Sequence, residues 1–222
     1  MISKKTLQFQ ADLKKNNNRE WFTSNKAQYE QYKKDYYELA GEFLAEMQKR
    51  DESLAQIELK DCVFRINRDI RFSKDKTPYK TNLAIWMSPG HKNTNLAGYY
   101  VHIEKGASFI AGGVYWPEAG DLKKIRKEIE FFNDELQQIL SDRNFNSIFG
   151  DLNRSEEVSL KTAPKGFEKD SPAIENLKLK CFTASHKIDD KLLGEKDFVK
   201  KTCEMLLALK PLNEFLNRAL NS

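Results

Sequence analysis

Cysteine is scarce in this chain. Only Cys62, Cys181 and Cys203 occur among 222 residues, far apart and with no C-x-x-C pair. An odd, scattered set speaks against a disulfide framework or a zinc site and fits a reducing cytoplasm. Long apolar runs are missing too. No stretch reaches the 18 or so apolar residues that a membrane helix needs, so no membrane span is expected. The opening Met1-Ile2-Ser3-Lys4-Lys5 leads into an amphipathic pattern and not an apolar core segment, so no signal peptide is expected. A large excess of one charge is also lacking. Lysine and arginine number 37 against 33 acidic residues, a net charge of +4. A dedicated nucleic-acid binder carries a broader basic stripe, which makes nucleic acid an unfavoured partner. The sequence has no G-x-x-x-x-G-K-[ST], G-x-G-x-x-G, H-E-x-x-H or G-x-S-x-G signature, and no cluster with metal-ligand spacing. No cofactor and no metal are therefore expected. No nucleophile with an evident base can be named, which leaves open whether the chain is an enzyme.

Apolar residues make up 40% of the sequence, enough for a true core. The length suits one domain over residues 1–222. Ser3 is placed to cap a short first helix, which Asn16-Asn17-Asn18 interrupts. Between Asn25 and Arg50, the residues Tyr29, Tyr32, Tyr36, Leu39, Phe43 and Met47 recur in steps of three and four. That spacing predicts a long helix with one apolar stripe, read as core packing. The middle of the chain alternates with a period of two. Strands are expected at 62–72, 83–88, 99–104 and 107–116, with Lys105-Gly106 as a hairpin turn. Gly112 and Gly113 point to a bulge or a close approach by a neighbour. Asp121 is read as the cap of a helix running through Ile139. Further on come a possible strand at 158–162, a short helix near 172–177, a possible strand at 180–188, and a helix from Asp197 to Leu220 bent at Pro211. Strands grouped between helices make the expected class α+β, with an antiparallel or mixed central sheet of about five strands packed by N-terminal, middle and C-terminal helices.

One segment stands out. Between Lys60 and Lys80 lie seven cations (Lys60, Arg65, Arg68, Arg71, Lys74, Lys76, Lys80) against Asp61, Asp69 and Asp75. In a regular strand, Arg65 and Arg68 face opposite sides. Arg68 would then share its face with Phe64, Ile66, Ile70 and Phe72, and its guanidinium would need an acceptor. A bulge near Asn67 is the alternative. Asp69 is a candidate orienting partner, and Lys76, Lys80 and the Tyr79 hydroxyl are placed to complete an oxyanion cradle. The competing reading is an internal Arg-Asp network that pins a loop. If the next strands stack as expected, His102 and Glu104 lie near the arginines as proton-transfer groups, although a lone strand histidine is more often a hydrogen-bonded structural residue. His91 and His186 carry less.

With Arg65, Arg68, Asp69, Arg71, Phe72, Asp75, Lys76 and Tyr79 in these positions, the chain resembles the bacterial family known as domain of unknown function 2461. Arg19-Glu20-Trp21-Phe22 and Leu209-Lys210-Pro211-Leu212 add to the likeness. The resemblance implies a single full-length domain and carries over motif positions, with no catalytic residue among them. The residues themselves point to a cytoplasmic protein that binds a small phosphate- or carboxylate-bearing ligand through Arg65, Arg68, Arg71, Lys76 and Lys80. Nucleic-acid binding, with Trp86, Tyr79 and Tyr100 as stacking surfaces, is a second reading. An interaction or scaffold protein with a purely structural Arg-Asp network is the third.

Overall fold

The computed structural model describes residues 2–90 and 94–222, so His91 lies outside the described residues. The chain opens with α1 (Lys4–Lys15), α2 (Arg19–Ser24) and the long α3 (Lys26–Gln48). Ser3 caps α1, its hydroxyl accepting from the Thr6 N–H at 3.0 Å. Asn18 caps α2 in the same way through the Trp21 N–H, which is why the asparagine run breaks the helix where it does. The expected stripe of α3 is realised. Tyr32, Tyr36, Leu39, Phe43 and Met47 are all buried, whereas Tyr29 is only half-buried. A single turn, α4 (Leu59–Cys62), follows.

Four strands form one antiparallel sheet in the order β1 (Leu83–Met87), β2 (Gly98–Ile103), β3 (Phe109–Val114) and β4 (Phe182–Lys187). The α+β class holds, but the sheet has four strands and not five. The expected strands at 62–72 and 158–162 are not members of it. The second makes only an isolated bridge, Ser159 to Leu179. The first makes two, Val63 to Ile85 and Asn67 to Tyr79. Its period-two pattern is genuine, but beyond the Val63 bridge to β1 it pairs with the chain returning from its own loop, where Pro78 has no N–H to extend a ladder.

Between β3 and β4 run α5 (Ala119–Phe131), α6 (Asn133–Ser141), α7 (Arg143–Phe149) and α8 (Ile174–Leu177). The cap position of α5 is Glu118; Asp121 sits in its first turn, and Leu136 and Ile139 belong to the separate α6. After β4 come α9 (Asp190–Leu193), α10 (Phe198–Leu207) and α11 (Lys210–Leu220). Pro211 therefore starts a new helix and does not bend an old one, consistent with its tolerance in a first helical turn.

The chain divides into two compact units. One comprises Met1–Met87, Tyr100–Ile110 and Lys187–Cys203. Its core gathers Phe9, Leu13, Phe43, Met47, Ile85, Val101 and Phe198, with Phe43 and Phe198 edge to face at 5.6 Å. The other comprises Ser88–Tyr99, Ala111–His186 and Glu204–Ser222. There α11 packs on α5, and Arg218 bridges Glu128 at 2.5 Å and Glu135 at 2.7 Å. Gly113 has φ +104°, and a Cβ at this position would stand 2.0 Å from the Phe182 carbonyl oxygen. The close approach expected at the glycine pair is thus the neighbouring strand itself. All three cysteines are buried, and none is in a disulfide. No helix among the described residues is long and apolar enough to cross a membrane.

Candidate functional site

The cation-rich segment folds as an arm on the first unit. Its two stems pair antiparallel: the Arg68 N–H donates to Pro78 O at 2.9 Å, and the Lys80 N–H to Ile66 O at 2.8 Å. Residues 69–77 form the tip. The arm is fixed at its base from two sides. Asn17 acts as a surrogate strand for Tyr79, accepting its N–H at 3.1 Å and donating to its carbonyl at 2.9 Å. The buried Tyr79 ring stacks on Phe22 with centroids 4.0 Å apart. On the other side, the Tyr36 hydroxyl accepts from the Phe64 N–H at 2.9 Å and donates to Ala84 O at 2.5 Å, joining α3, the arm and β1.

The tip ties most of its charges within itself. Arg68 Nη1 donates to Asp75 at 2.5 Å and to the Thr77 carbonyl at 3.1 Å, and also meets the Thr77 hydroxyl. Asp75 also accepts from the Thr77 N–H at 2.9 Å. That N–H, the Arg68 guanidinium and the Thr77 hydroxyl together hold the Asp75 carboxyl down at about 2. Arg71 grips Asp69 through two guanidinium nitrogens, at 3.0 and 2.7 Å, and holds its carboxyl below the usual range. Lys76 donates to Ile70 O at 3.0 Å. Phe72 is 95% exposed at the extremity.

The neck differs. Arg65 and Lys80 face a cavity of about 180 Å³ whose third cation is Lys33, from α3. Tyr29, Tyr32, Tyr36 and Tyr37 form its helical wall. Phe64 and Ile66 line it from the arm, and Leu83 and Ala84 from β1. Asn67 and Asn82 supply amides. No carboxylate lines it. Among the described residues, no ion pair or hydrogen bond engages the charged groups of Lys33, Arg65 or Lys80. The Lys80 ammonium lies over the Phe64 ring at 5.0 Å, and that of Lys33 over Tyr37 at 5.8 Å. Burial pushes the Lys80 ammonium below its ordinary pKa, and the Arg65 charge pushes it further. Burial pushes the Tyr29 phenol up, so that group stays neutral at physiological pH.

Of the residues singled out from sequence, the structure thus brings Arg65 and Lys80 together at a cavity. It places Arg68, Asp69, Arg71 and Lys76 in the tip, and Tyr79 in the anchor. His102 does not line the cavity. It lies behind Asn82, whose amide is 3.4 Å from His102 Nδ1, with the Tyr100 hydroxyl at 3.2 Å. Its ring stacks on Phe109 at 4.7 Å, and Nε2 is 3.5 Å from Glu104. Burial lowers the pKa of His102, Glu104 only partly opposing it. Burial alone would raise Glu104, but Lys14 at 2.7 Å and His102 bring it below its ordinary value. Neither His102 nor Glu104 touches an arginine. Sequence reasoning missed Lys33, Tyr29, Tyr37 and Asn82. The available signal was Lys33 spaced by four from both Tyr29 and Tyr37, on a stripe where phenols replace the leucines of an ordinary core. Among the described residues, no group of three or more histidine, cysteine, aspartate or glutamate side chains is placed to hold a metal ion.

No curated protein and no solved structure matches the chain. A family model does match, over residues 5–215, a span that includes the arm, its anchors and every residue of the cavity wall. The chain belongs to the family described as conserved hypothetical protein DUF2461.

Proposed function

We propose that this protein binds a small anionic ligand in the neck cavity, with Arg65 and Lys80 as the principal contacts and Lys33 as a third. The observation that carries the reading is that no carboxylate lines the cavity these cations share, the nearest influence being the field between Arg65 and Asp69 of the tip. Partly desolvated positive groups that repel one another are costly unless an anion completes them. Arg65 supplies a planar fork suited to carboxylate or phosphate, and Lys80 a point charge. The tip contributes by holding the stems in register: with Arg68 tied to Asp75 and Thr77, the loop between the stems stays closed.

The test is calorimetric titration of the purified protein with inorganic phosphate and with malonate at low ionic strength. At least one should bind, and Lys80→Gln should weaken it about tenfold or more, equivalent to about 1.4 kcal/mol, at an unchanged melting temperature. Failure of both anions to bind the wild-type protein would overturn the reading.

A further inference from the structure

Resting on that reading, we infer that the ligand of the neck cavity carries a phosphoryl dianion, as a small phosphate monoester does, and not a carboxylate. Three features lead there. The first is the origin of the donors. Lys33 comes from α3, Arg65 from one stem of the arm and Lys80 from the other. The stems are joined by the Lys80–Ile66 backbone bond, and α3 is joined to the arm through Tyr36 and Phe64. Three cations on three anchored segments match a tetrahedral group with three terminal oxygens better than a planar group with two.

The second feature is charge. Three cations face the cavity and no acid does. A monoanion leaves two of them uncompensated, whereas a dianion leaves one. The desolvation that presses on Lys80 makes this difference count, because charges interact more strongly away from water. The third is size. A cavity of about 180 Å³ lies below the roughly 300–1,000 Å³ of sites for drug-sized ligands. It suits a phosphoryl group with a compact body against Phe64.

Methyl phosphate, dimethyl phosphate and acetate separate these features at pH 7.5. The monoester is a dianion there, its second pKa being about 6, whereas the diester keeps the tetrahedral shape with one charge. Calorimetry should show methyl phosphate binding at least tenfold tighter than either competitor. Lys33→Gln, a substitution at an exposed helical position, should reduce that preference to less than threefold. Equal or tighter binding of acetate or dimethyl phosphate would overturn the dianion inference and leave anion binding standing. Binding by none of the three would overturn both.

Discussion

The tip and the neck of the arm are built from the same residue types a few positions apart, and they behave oppositely. In the tip, Arg68 meets Asp75 and Arg71 meets Asp69, and Lys76 is tied to a carbonyl. In the neck, Arg65 and Lys80 repel each other, Lys80 lies over the aromatic ring of Phe64, and no acid lines the cavity beside them. The apparent surplus of the segment is also reduced from outside it, where Glu58 takes Lys60 at 2.8 Å. A local excess of cations is thus a poor measure of a binding site. What matters is which cations the folded chain gathers at one cavity without a hydrogen-bonded acid, and in this arm those are Arg65 and Lys80 at the stems. The difference also separates two roles. The tip's interactions are between near neighbours and shape a loop. The neck's cations are held in place by groups from elsewhere, α3 and the Asn17 corner among them.

The sharpest way to break the comparison is to remove the support that both regions share. Tyr79→Ala deletes a buried ring stacked on Phe22 and should cost about 3–5 kcal/mol in urea unfolding, as large-to-small aromatic substitutions in cores do. Anion binding should fall with it, since the stem that carries Lys80 loses its packing. A loss under 1 kcal/mol would mean that the arm stands without this anchor.

A smaller effect should split the two regions. Arg68→Ala leaves Asp75 and the Thr77 carbonyl without their cationic donor, and should lower the melting temperature measurably, though less than Tyr79→Ala, while methyl phosphate affinity changes less than threefold. Arg65→Ala should do the reverse. The residue is exposed and its guanidinium has no hydrogen-bonded acid among the described residues, so stability should stay within about 0.5 kcal/mol, while affinity falls at least tenfold. If Arg68→Ala abolishes binding at an unchanged melting temperature, the tip belongs to the site and the distinction fails.

Much of this architecture was legible in the sequence, for identifiable reasons. The α3 stripe, the β2–β3 hairpin and the asparagine break follow from periodicities and caps that act over a few residues, where sequence and structure are closest. The extra strand came from the same logic applied where it misleads. Residues 62–72 alternate as a strand does, but alternation cannot say which partner the strand will find, and its partner is the returning stem. The site divided along the same line. Arg65 and Lys80 were visible as part of a cluster. That Arg68 and Arg71 would be neutralised by Asp75 and Asp69 depends on the turn geometry of the tip, in which Thr77 folds back onto the Asp75 carboxylate. Lys33 lies more than thirty positions from Arg65 and reaches the cavity because α3 packs beside the arm, with Tyr36 bonded to Phe64, a contact no local pattern encodes.

The smallest effects should appear in acid, and they sharpen the contrast because the two regions titrate in different windows. In the tip, the folded state holds Asp75 at about 2, below its ordinary 3.8. The folded protein therefore favours the carboxylate. That contribution is complete above pH 4 and is lost as the pH falls toward 2, as the unfolded chain takes up the proton first. Arg68→Ala should flatten this limb. Behind the neck, His102 is buried with a pKa below its ordinary 6.5, among Asn82, Tyr100, Phe109 and Glu104. Here the folded protein favours the neutral ring. Stability is full above pH 6.5 and declines as the pH falls below it, because the unfolded chain binds the proton that the folded chain resists. His102→Gln should remove the decline that sets in below pH 6.5 in thermal melts and leave the limb below pH 4 intact. A His102→Gln profile that matches the wild type across both windows would show that the ring is solvated, and that the Asn82 wall of the cavity does not depend on its charge.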